Sequence, residues 1–473
     1  MSPAELTSDR PAADPGRRRE QRAWYVYDWA NSAYVTTTAT VLFGPYLTTV
    51  AKRAACPGQD VDLRCGTDLS VLGIPVSPGS LALYSITAAT LASAVLLPFV
   101  GALADRSGRK RRLLAGLAWV GAAAAASMVL VGGTAWQLGV ALQVVASLCL
   151  GSSLVVYDAI LCEIATPDER DRVSSHGWAL GYLGGGILLS ANLALVTMHD
   201  RFGLSTEGAV RASLFTAGCW WALFTLVPYL GLRDRPPVHA VPDGTDRAAR
   251  GATGAVREVL APAFGQLVAT FREMRGYPQT LLFLLAYLLY NDGIQTVISA
   301  SSIFGQEELG FDSQQLITTI LLVQFVAFFG ALVFGRLAAR IGARRTVLAG
   351  LVMWCGVVAT GYFIPTGQFV MFLVLGTLIG MVLGGTQAIS RSLFSQLIPR
   401  GREAEYFSLY QAAERGTSWF GSLLFGLVFQ ITDSYRNAIV ALMVFFIGGG
   451  LLLLRVRVAE GIRAAGNPLP RIL

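Results

Sequence analysis

Residues 280–301 read TLLFLLAYLLYNDGIQTVISAS. The run is apolar for long enough to cross a bilayer, which takes roughly 20 residues of α-helix, yet Asn291, Asp292 and Gln295 stand near its middle. A carboxylate at that depth costs about 2.5 to 3.5 kcal/mol even on the lenient insertion scale, so it normally faces a water-filled cavity or a polar partner. The stretch is expected to form one wall of a pathway through a membrane, with Asp292 as its deepest charge.

Composition agrees with that reading. Hydrophobic residues make up 53% of the 473 and charged residues only 14%, against about 25% charged in ordinary soluble domains. This is the composition of an all-α polytopic membrane protein. The net charge of +7 is carried by arginine, since Lys52 and Lys110 are the only lysines. These charges fall in short segments between apolar runs, a pattern of topology signals that excludes nucleic-acid binding as a function class. Residues 1–23 are polar and Arg-rich, without the short apolar core and small-residue cleavage site of a removable signal peptide.

Apolar runs of spanning length lie at about 24–50, 80–103, 112–132, 137–162, 173–198 and 211–232, and again at about 278–304, 314–336, 346–365, 368–391, 405–431 and 437–454. They are expected to be helices 1 to 12, forming two six-helix bundles at 24–232 and 278–455, with tails at 1–23 and 456–473 and a middle loop at 233–277. Arg17, Arg18, Arg19 and Arg22, the cluster Arg106 to Arg112, Arg233 and Arg235, Arg336 to Arg345, and Arg455 and Arg457 all fall in tails or in loops after even-numbered helices. By the positive-inside rule both termini and the middle loop are cytoplasmic, in a cell's inner (plasma) membrane. Within that loop Val256, Val259, Leu260, Phe264, Leu267, Val268, Phe271 and Met274 recur at helical spacing opposite charged residues. The pattern predicts an amphipathic helix on the membrane surface, or an extension of helix 7.

The two halves repeat. GALADRSGRKRR from Gly101, after helix 2, aligns with GRLAARIGARRT from Gly335, after helix 8; Tyr27 and Asp28 in helix 1 have counterparts in Tyr290, Asn291 and Asp292 in helix 7. Duplicated six-helix bundles are a secondary-transporter architecture, with the substrate site between the halves.

The Gly101 segment resembles the G-x-L-x-D-R-x-G-R-K signature of the major facilitator superfamily. YDWANSAY from Tyr27, GWALGYLGGG from Gly177, FLLAYLLYNDGIQT from Phe283 and GGTQAISRSLFSQLIP from Gly384 are similar to the branch named for the autophagy-related vacuolar amino-acid effluxer. The chain departs from the branch pattern at Asp158, where Asn is common, and at Glu414-Arg415, where Gly-Lys is common; the second signature loop has Ala339 where the first has Asp105. The resemblance implies amino-acid export, a central cavity lined by helices 1, 4, 7 and 10, and a gating loop made by Gly101, Asp105, Arg106, Gly108, Arg109 and Lys110 that holds one state of the transport cycle. Only the first loop has the acid that such a latch needs.

On that frame Asp28 and Asn31 lie on helix 1, Asp158 on helix 4, Asn291, Asp292 and Gln295 on helix 7, Gln387 and Arg391 on helix 10, and Glu414 and Arg415 on helix 11, whereas the interiors of helices 3, 6, 9 and 12 hold no ionisable residue. Charges kept off lipid-facing helices are what a polar central pathway requires. Asp28, Asp158 and Arg391 lie near inner helix ends and are either a gate network or ligands. Asp292 either exchanges a proton with the solute pathway or is a hydrogen-bonded packing residue. His176 is expected to be an interfacial side chain, and Gly181, Gly184, Gly185 and Gly186 to allow close helix packing.

Six cysteines show no metal-ligand spacing, and no cofactor is expected. Cys56 and Cys65, in the loop between helices 1 and 2, either form a disulfide or stay as free thiols. No Walker loop is present, so the chain is not a self-contained ATP-driven pump. The expected partners are a small-molecule substrate, the lipid bilayer and protons or another coupling ion, with the chain a monomer. The function read from these residues is a secondary transporter, not an enzyme, moving an amino acid or related small polar solute by alternating access. Rival readings are a sugar or cationic-drug carrier and a non-transporting sensor or scaffold.

Overall fold

The computed structural model describes residues 15–60, 65–71, 73–237, 272–416 and 418–473; the amphipathic helix expected at 255–274 lies almost entirely outside the described residues. Ten helical segments among those described are long and apolar enough to cross a membrane: Pro78–Ser107, Lys110–Leu130, Trp136–Ile164, Arg170–Thr197, Thr206–Gly231, Pro278–Glu308, Ser313–Ile341, Ala343–Tyr362, Phe369–Gln396 and Tyr435–Arg455. They fall on helices 2 to 10 and 12. Helices 1 and 11 have polar first halves. Helix 1 runs through Pro15–Ala33, a π-helical stretch Tyr34–Leu42 and Phe43–Ala55, and helix 11 comprises Glu403–Gly416 and Ser418–Thr432. The fold is thus all-α and polytopic, with a six-helix set on either side of the middle loop.

Its outer surface is hydrocarbon. Leu83, Leu91, Leu223, Leu230, Val352 and Val370 are each more than 60% exposed, a belt that water would penalise and lipid covers. The two sets meet where helix 2 packs on helix 11, helix 4 on helix 11, and helix 5 on helices 8 and 10. Helix 5 also lies tight against helix 1. A Cβ on Gly184 would stand 2.8 Å from the Trp29 carbonyl oxygen, so only glycine permits that approach.

Three segments differ from expectation. The first is the N-terminal tail expected to end at residue 23, which is helical from Pro15. Its polar side chains are held by other helix ends: Glu20 is buried and pairs with Arg235 at 2.7 Å, and Gln21 Nε2 donates to the Ile164 carbonyl at 2.9 Å. The C-terminal tail expected from residue 456 also folds back, as the helix Val458–Ala464 with Val458 and Ile462 buried. Beyond it, Asn467 Nδ2 donates to the Gln396 and Ile398 carbonyls, and the Arg471 amide donates to Asp168. The third is the loop between helices 1 and 2, for which the apolar runs predict no element. It carries an antiparallel hairpin, β1 (Leu69–Val71) with β2 (Ile74–Val76), in which Leu69 opposes Val76 and both are buried. Cys56 and Cys65 are joined there, their Cα atoms 6.0 Å apart.

Candidate functional site

A cavity of about 760 Å³ lies between the two halves. Helix 1 supplies Ser32, Val35, Thr36 and Thr40, helix 7 Gln295, Ile298, Ser299, Ser301 and Ser302, helix 8 Leu316, Thr319, Ile320, Val323 and Gln324, and helix 10 Phe372, Gly376, Ile379, Leu383 and Gln387. Trp178 and Tyr182 come from helix 5, Ile86 from helix 2 and Glu414 from helix 11. Nearly all of these lie in the half of each helix nearer the Cys56–Cys65 loop, so the cavity belongs to that end of the molecule. The π-helical stretch of helix 1 supplies three of the wall residues, Val35, Thr36 and Thr40; such widened turns concentrate at functional positions.

The wall differs from the one implied by the resemblance. Helix 4 contributes nothing to it, while helices 5 and 8 do. The cause is local: Asp158 and Tyr157 of helix 4 are engaged with the layer below, and the glycines of helix 5 bring Trp178 and Tyr182 inward. Gln324 and Thr36, not singled out from the sequence, join the halves across the cavity, Gln324 Nε2 donating to Thr36 Oγ1 at 2.8 Å. A lone amide in the apolar run of helix 8 is the signal that marked Gln324. Tyr182 donates to Gln387 Oε1 at 3.0 Å.

Beneath the cavity lies a closed charged layer centred on Arg391. Its Nη1 is 3.2 Å from Asp158 Oδ1, its Nη2 3.3 Å from Asp28 Oδ2, and its Nε donates to Ser174 Oγ at 2.9 Å. Trp24, Tyr157 and Trp178 present their rings to the guanidinium at 4.9, 5.4 and 5.4 Å. Tyr157 donates to Asp28 at 2.7 Å and Gln411 Nε2 to Asp158 at 2.8 Å. Arg391, Asp28 and Asp158 are 3, 6 and 0% exposed, and charges so buried are tolerable only with this density of partners. Since Asp28 and Asp158 belong to one half and Arg391 to the other, the layer is a tie between halves, and none of its three charges lines the cavity.

Lower still is the gating loop. Asp105 accepts the backbone N–H groups of Ala404 and Glu405 at 3.1 and 2.9 Å, at the start of helix 11. There the unpaired amides and the helix dipole favour an anion. Lys110 Nζ stands 3.0 Å from both Asp105 and Glu163. Gly101 lies flush on the same turn, where a Cβ would sit 2.5 Å from the Ala404 carbonyl oxygen. Gly108, at φ 59°, ends helix 2 in the left-handed conformation. Arg106 and Arg109 are exposed and stand apart from this cluster.

The remaining residues singled out from the sequence are placed as follows. Asp292 does not line the cavity. Its Oδ2 accepts the Gly421 amide at 2.8 Å, within the first turn of Ser418–Thr432, where an N–H lacks a partner of its own helix. Among the described residues its Oδ1 has no hydrogen-bond partner. Asp292 thus turns toward helix 11 and stays out of the cavity wall. Asn291 Nδ2 donates to the Glu414 carbonyl at 3.4 Å, and Asn31 Nδ2 to the Tyr27 carbonyl of its own helix at 2.7 Å. Arg415 faces Gly151 of helix 4, with Nε 3.6 Å from where a Cβ would be. His176 stacks on Tyr25 at 5.6 Å near the helix 5 end.

Known proteins resemble this chain along most of its length. The family model described as "Vacuole effluxer Atg22 like" matches residues 16–466. An uncharacterized MFS-type transporter of Bacillus subtilis, YxiO, is 28% identical, over 92% of this chain and 94% of its own. Autophagy-related protein 22-1 of Penicillium rubens is 26% identical, over 95% and 92%. Among solved structures, the proton:xylose symporter XylE superposes with a TM-score of 0.67 at 12% identity, over 93% of this chain and 95% of its own. The human organic anion transporter MFSD10 gives 0.64 at 16%, over 93% and 100%. At such identities the two structures speak for the fold alone. With the family model matching almost the whole chain, the protein belongs to the Atg22-like branch of the major facilitator superfamily.

Proposed function

We propose that the chain is a secondary active transporter that carries a small organic solute by alternating access. It works in a cell's inner (plasma) membrane, with the basic end and both termini in the cytoplasm. The carrying observation is the pairing of an open cavity at one end of the inter-half seam with closure at the other, where Arg391, Asp105 and Gly101 all bind the opposite half. On the positive-inside orientation this is the outward-facing state. Bundles 24–232 and 278–455 are the moving bodies, linked by residues 233–277. The solute passes the Cys56–Cys65 loop at one end of its path and the basic end at the other. Export is the direction that the relatives' effluxer name supports, and amino acids are the solutes that the resemblance implies.

A proton is the proposed coupling ion, with Asp292 its carrier: one carboxylate oxygen is anchored on Gly421 and the other is free to hold it. Asp292→Asn keeps an acceptor for Gly421 and removes the titratable group. It is expected to fold normally while losing solute movement driven by a pH gradient in proteoliposomes; retained coupling would remove Asp292 from that role.

The transport reading itself is tested without knowing the solute. In sealed vesicles of known orientation, a cysteine at Ser299 should react with an impermeant maleimide from the Cys56–Cys65 side. A cysteine at Ser392, below the charged layer, should react only from the other side, and only when that end opens. Reaction of both from one side alone would contradict alternating access.

A further inference from the structure

Among the described residues that line the cavity, Glu414 is the one acidic side chain, and no basic one joins it. Trp178 and Tyr182 also line it, Trp178 with its ring on the Arg391 guanidinium and Tyr182 within electrostatic range of Glu414. The wall above is largely aliphatic and aromatic, with Val35, Ile320, Val323, Phe372, Ile379 and Leu383. A carboxylate beside aromatic rings under an apolar chamber is the chemistry that holds an ammonium group with a greasy body: ion pairing and ring quadrupoles seat the charge, and burial of the body supplies the rest.

No guanidinium group of the described residues lines the cavity in this state. Arg391 is committed to Asp28, Asp158 and Ser174, and Arg415 lies against helix 4; neither lines the cavity. The charged groups that face Glu414 are these two arginines and Asp28, and Asp158 is close enough to feel it. Three acidic side chains therefore stand among two basic ones in the central cluster, surroundings that suit an entering cation better than an entering anion. A zwitterion or an anion would instead bring its own carboxylate into a wall with no cation, and an unpaired charge in a desolvated site is costly.

We propose that the cavity takes an organic monocation, a small amine with an apolar body and no carboxylate, its ammonium seated at Glu414 beside Tyr182. The proposal rests on the transporter reading and puts carboxylate-free amines in place of the amino acids that the resemblance implies.

The test is a charge series on one apolar body, applied to the purified full-length protein: 2-phenylethylamine, phenylalanine, 3-phenylpropionate and 2-phenylethanol. Binding is followed by the rise in melting midpoint, since a ligand that binds only the folded state raises it. The amine should bind about tenfold or more tightly than the alcohol, with the zwitterion and the anion weakest. Glu414→Gln should abolish the preference for the amine, and Glu414→Asp should retain it. The ranking in the unmodified chain decides the matter even if Glu414→Gln does not fold. Tighter binding of phenylalanine than of the amine overturns the proposal while leaving the transporter reading intact; so does a series in which the amine gives no shift. The two-sided maleimide experiment judges the transporter reading separately, because it needs no ligand.

Discussion

The duplicated halves meet along two equivalent seams, helix 2 on helix 11 and helix 8 on helix 5, and the two are closed by different means. At the first, Gly101 lies on the Ala404 backbone, and Asp105 grips the amides of Ala404 and Glu405 with Lys110 beside it. At the second, Gly335 lies on Ser175, Ala339 stands where Asp105 does, and Arg344 turns away to the carbonyls of Leu453 and Leu454. The polar ties beside it run from helix 5 to helix 10: Arg170 Nη1 donates to the Ser395 carbonyl and Ser174 Oγ to the Ala388 carbonyl, both at 2.7 Å, while the Ser392 hydroxyl donates to Asp171 at 2.5 Å. Duplication thus preserved the small residue that lets the backbones touch, while the polar chemistry diverged. A carboxylate on amide donors at a helix start is released when water replaces those donors, which suits a latch. Hydrogen bonds shared between two packed helices suit a sliding seam.

The largest effect should come from the layer that both seams share. Arg391→Ala leaves Asp28 and Asp158 buried without their cation, and loss of one partner of a buried pair costs about 3 to 5 kcal/mol. The melting midpoint should fall steeply; an unchanged midpoint would mean that the layer holds neither seam. Next is the latch. Asp105→Ala removes two hydrogen bonds to a charged acceptor, of the kind worth about 1.5 to 3 kcal/mol each when the donors cannot find water. Because its loss favours opening, the cysteine at Ser392 should become reactive from the basic side.

A smaller contrast separates the two glycines. Gly101→Ala meets three backbone atoms of Ala404 and Glu405, the nearest at 2.5 Å, whereas Gly335→Ala meets the Ser175 hydroxyl and Cβ at 2.6 and 2.7 Å, of which only the hydroxyl can rotate away. Overpacking costs about 1 to 3 kcal/mol, so both variants should lose stability and the Gly101 variant somewhat more, by denaturation midpoint. Equal losses would make the seams mechanically alike. The smallest effect is expected for Arg340→Ala, an exposed residue beside Ala339, which should leave midpoint and labelling unchanged.

Much of this was legible in the sequence because hydrophobic length and charge placement are global signals. The runs at 278–304 and 314–336 are apolar whichever way their side chains turn, and the Gly101 and Gly335 segments align by eye. Which face of a helix points where was harder to read. Asp292 was placed on the correct helix, but its rotation toward the first turn of Ser418–Thr432 depends on an amide that only the packed helix 11 presents. Trp178, Tyr182 and Gln324 reach the cavity because helix 5 lies close to helix 1 and packs along helix 8, a relation that no single helix encodes. The folding of 15–23 and 456–467 was missed for a related reason. Glu20 and Gln21 are buried and Asn467 half-buried against helix ends distant in sequence, and polarity alone read as tail.

The most direct test of the unequal seams is the distance across the basic end, measured by double electron–electron resonance between spin labels at Arg112 and Arg400 in a chain whose Cys149, Cys162, Cys219 and Cys355 are replaced. The unmodified seams should give one short distance population. Asp105→Ala should add a second, longer population, and Arg340→Ala should not. Equal broadening in both variants, or none in Asp105→Ala, would contradict the assignment of the helix 2 and helix 11 seam as the latch.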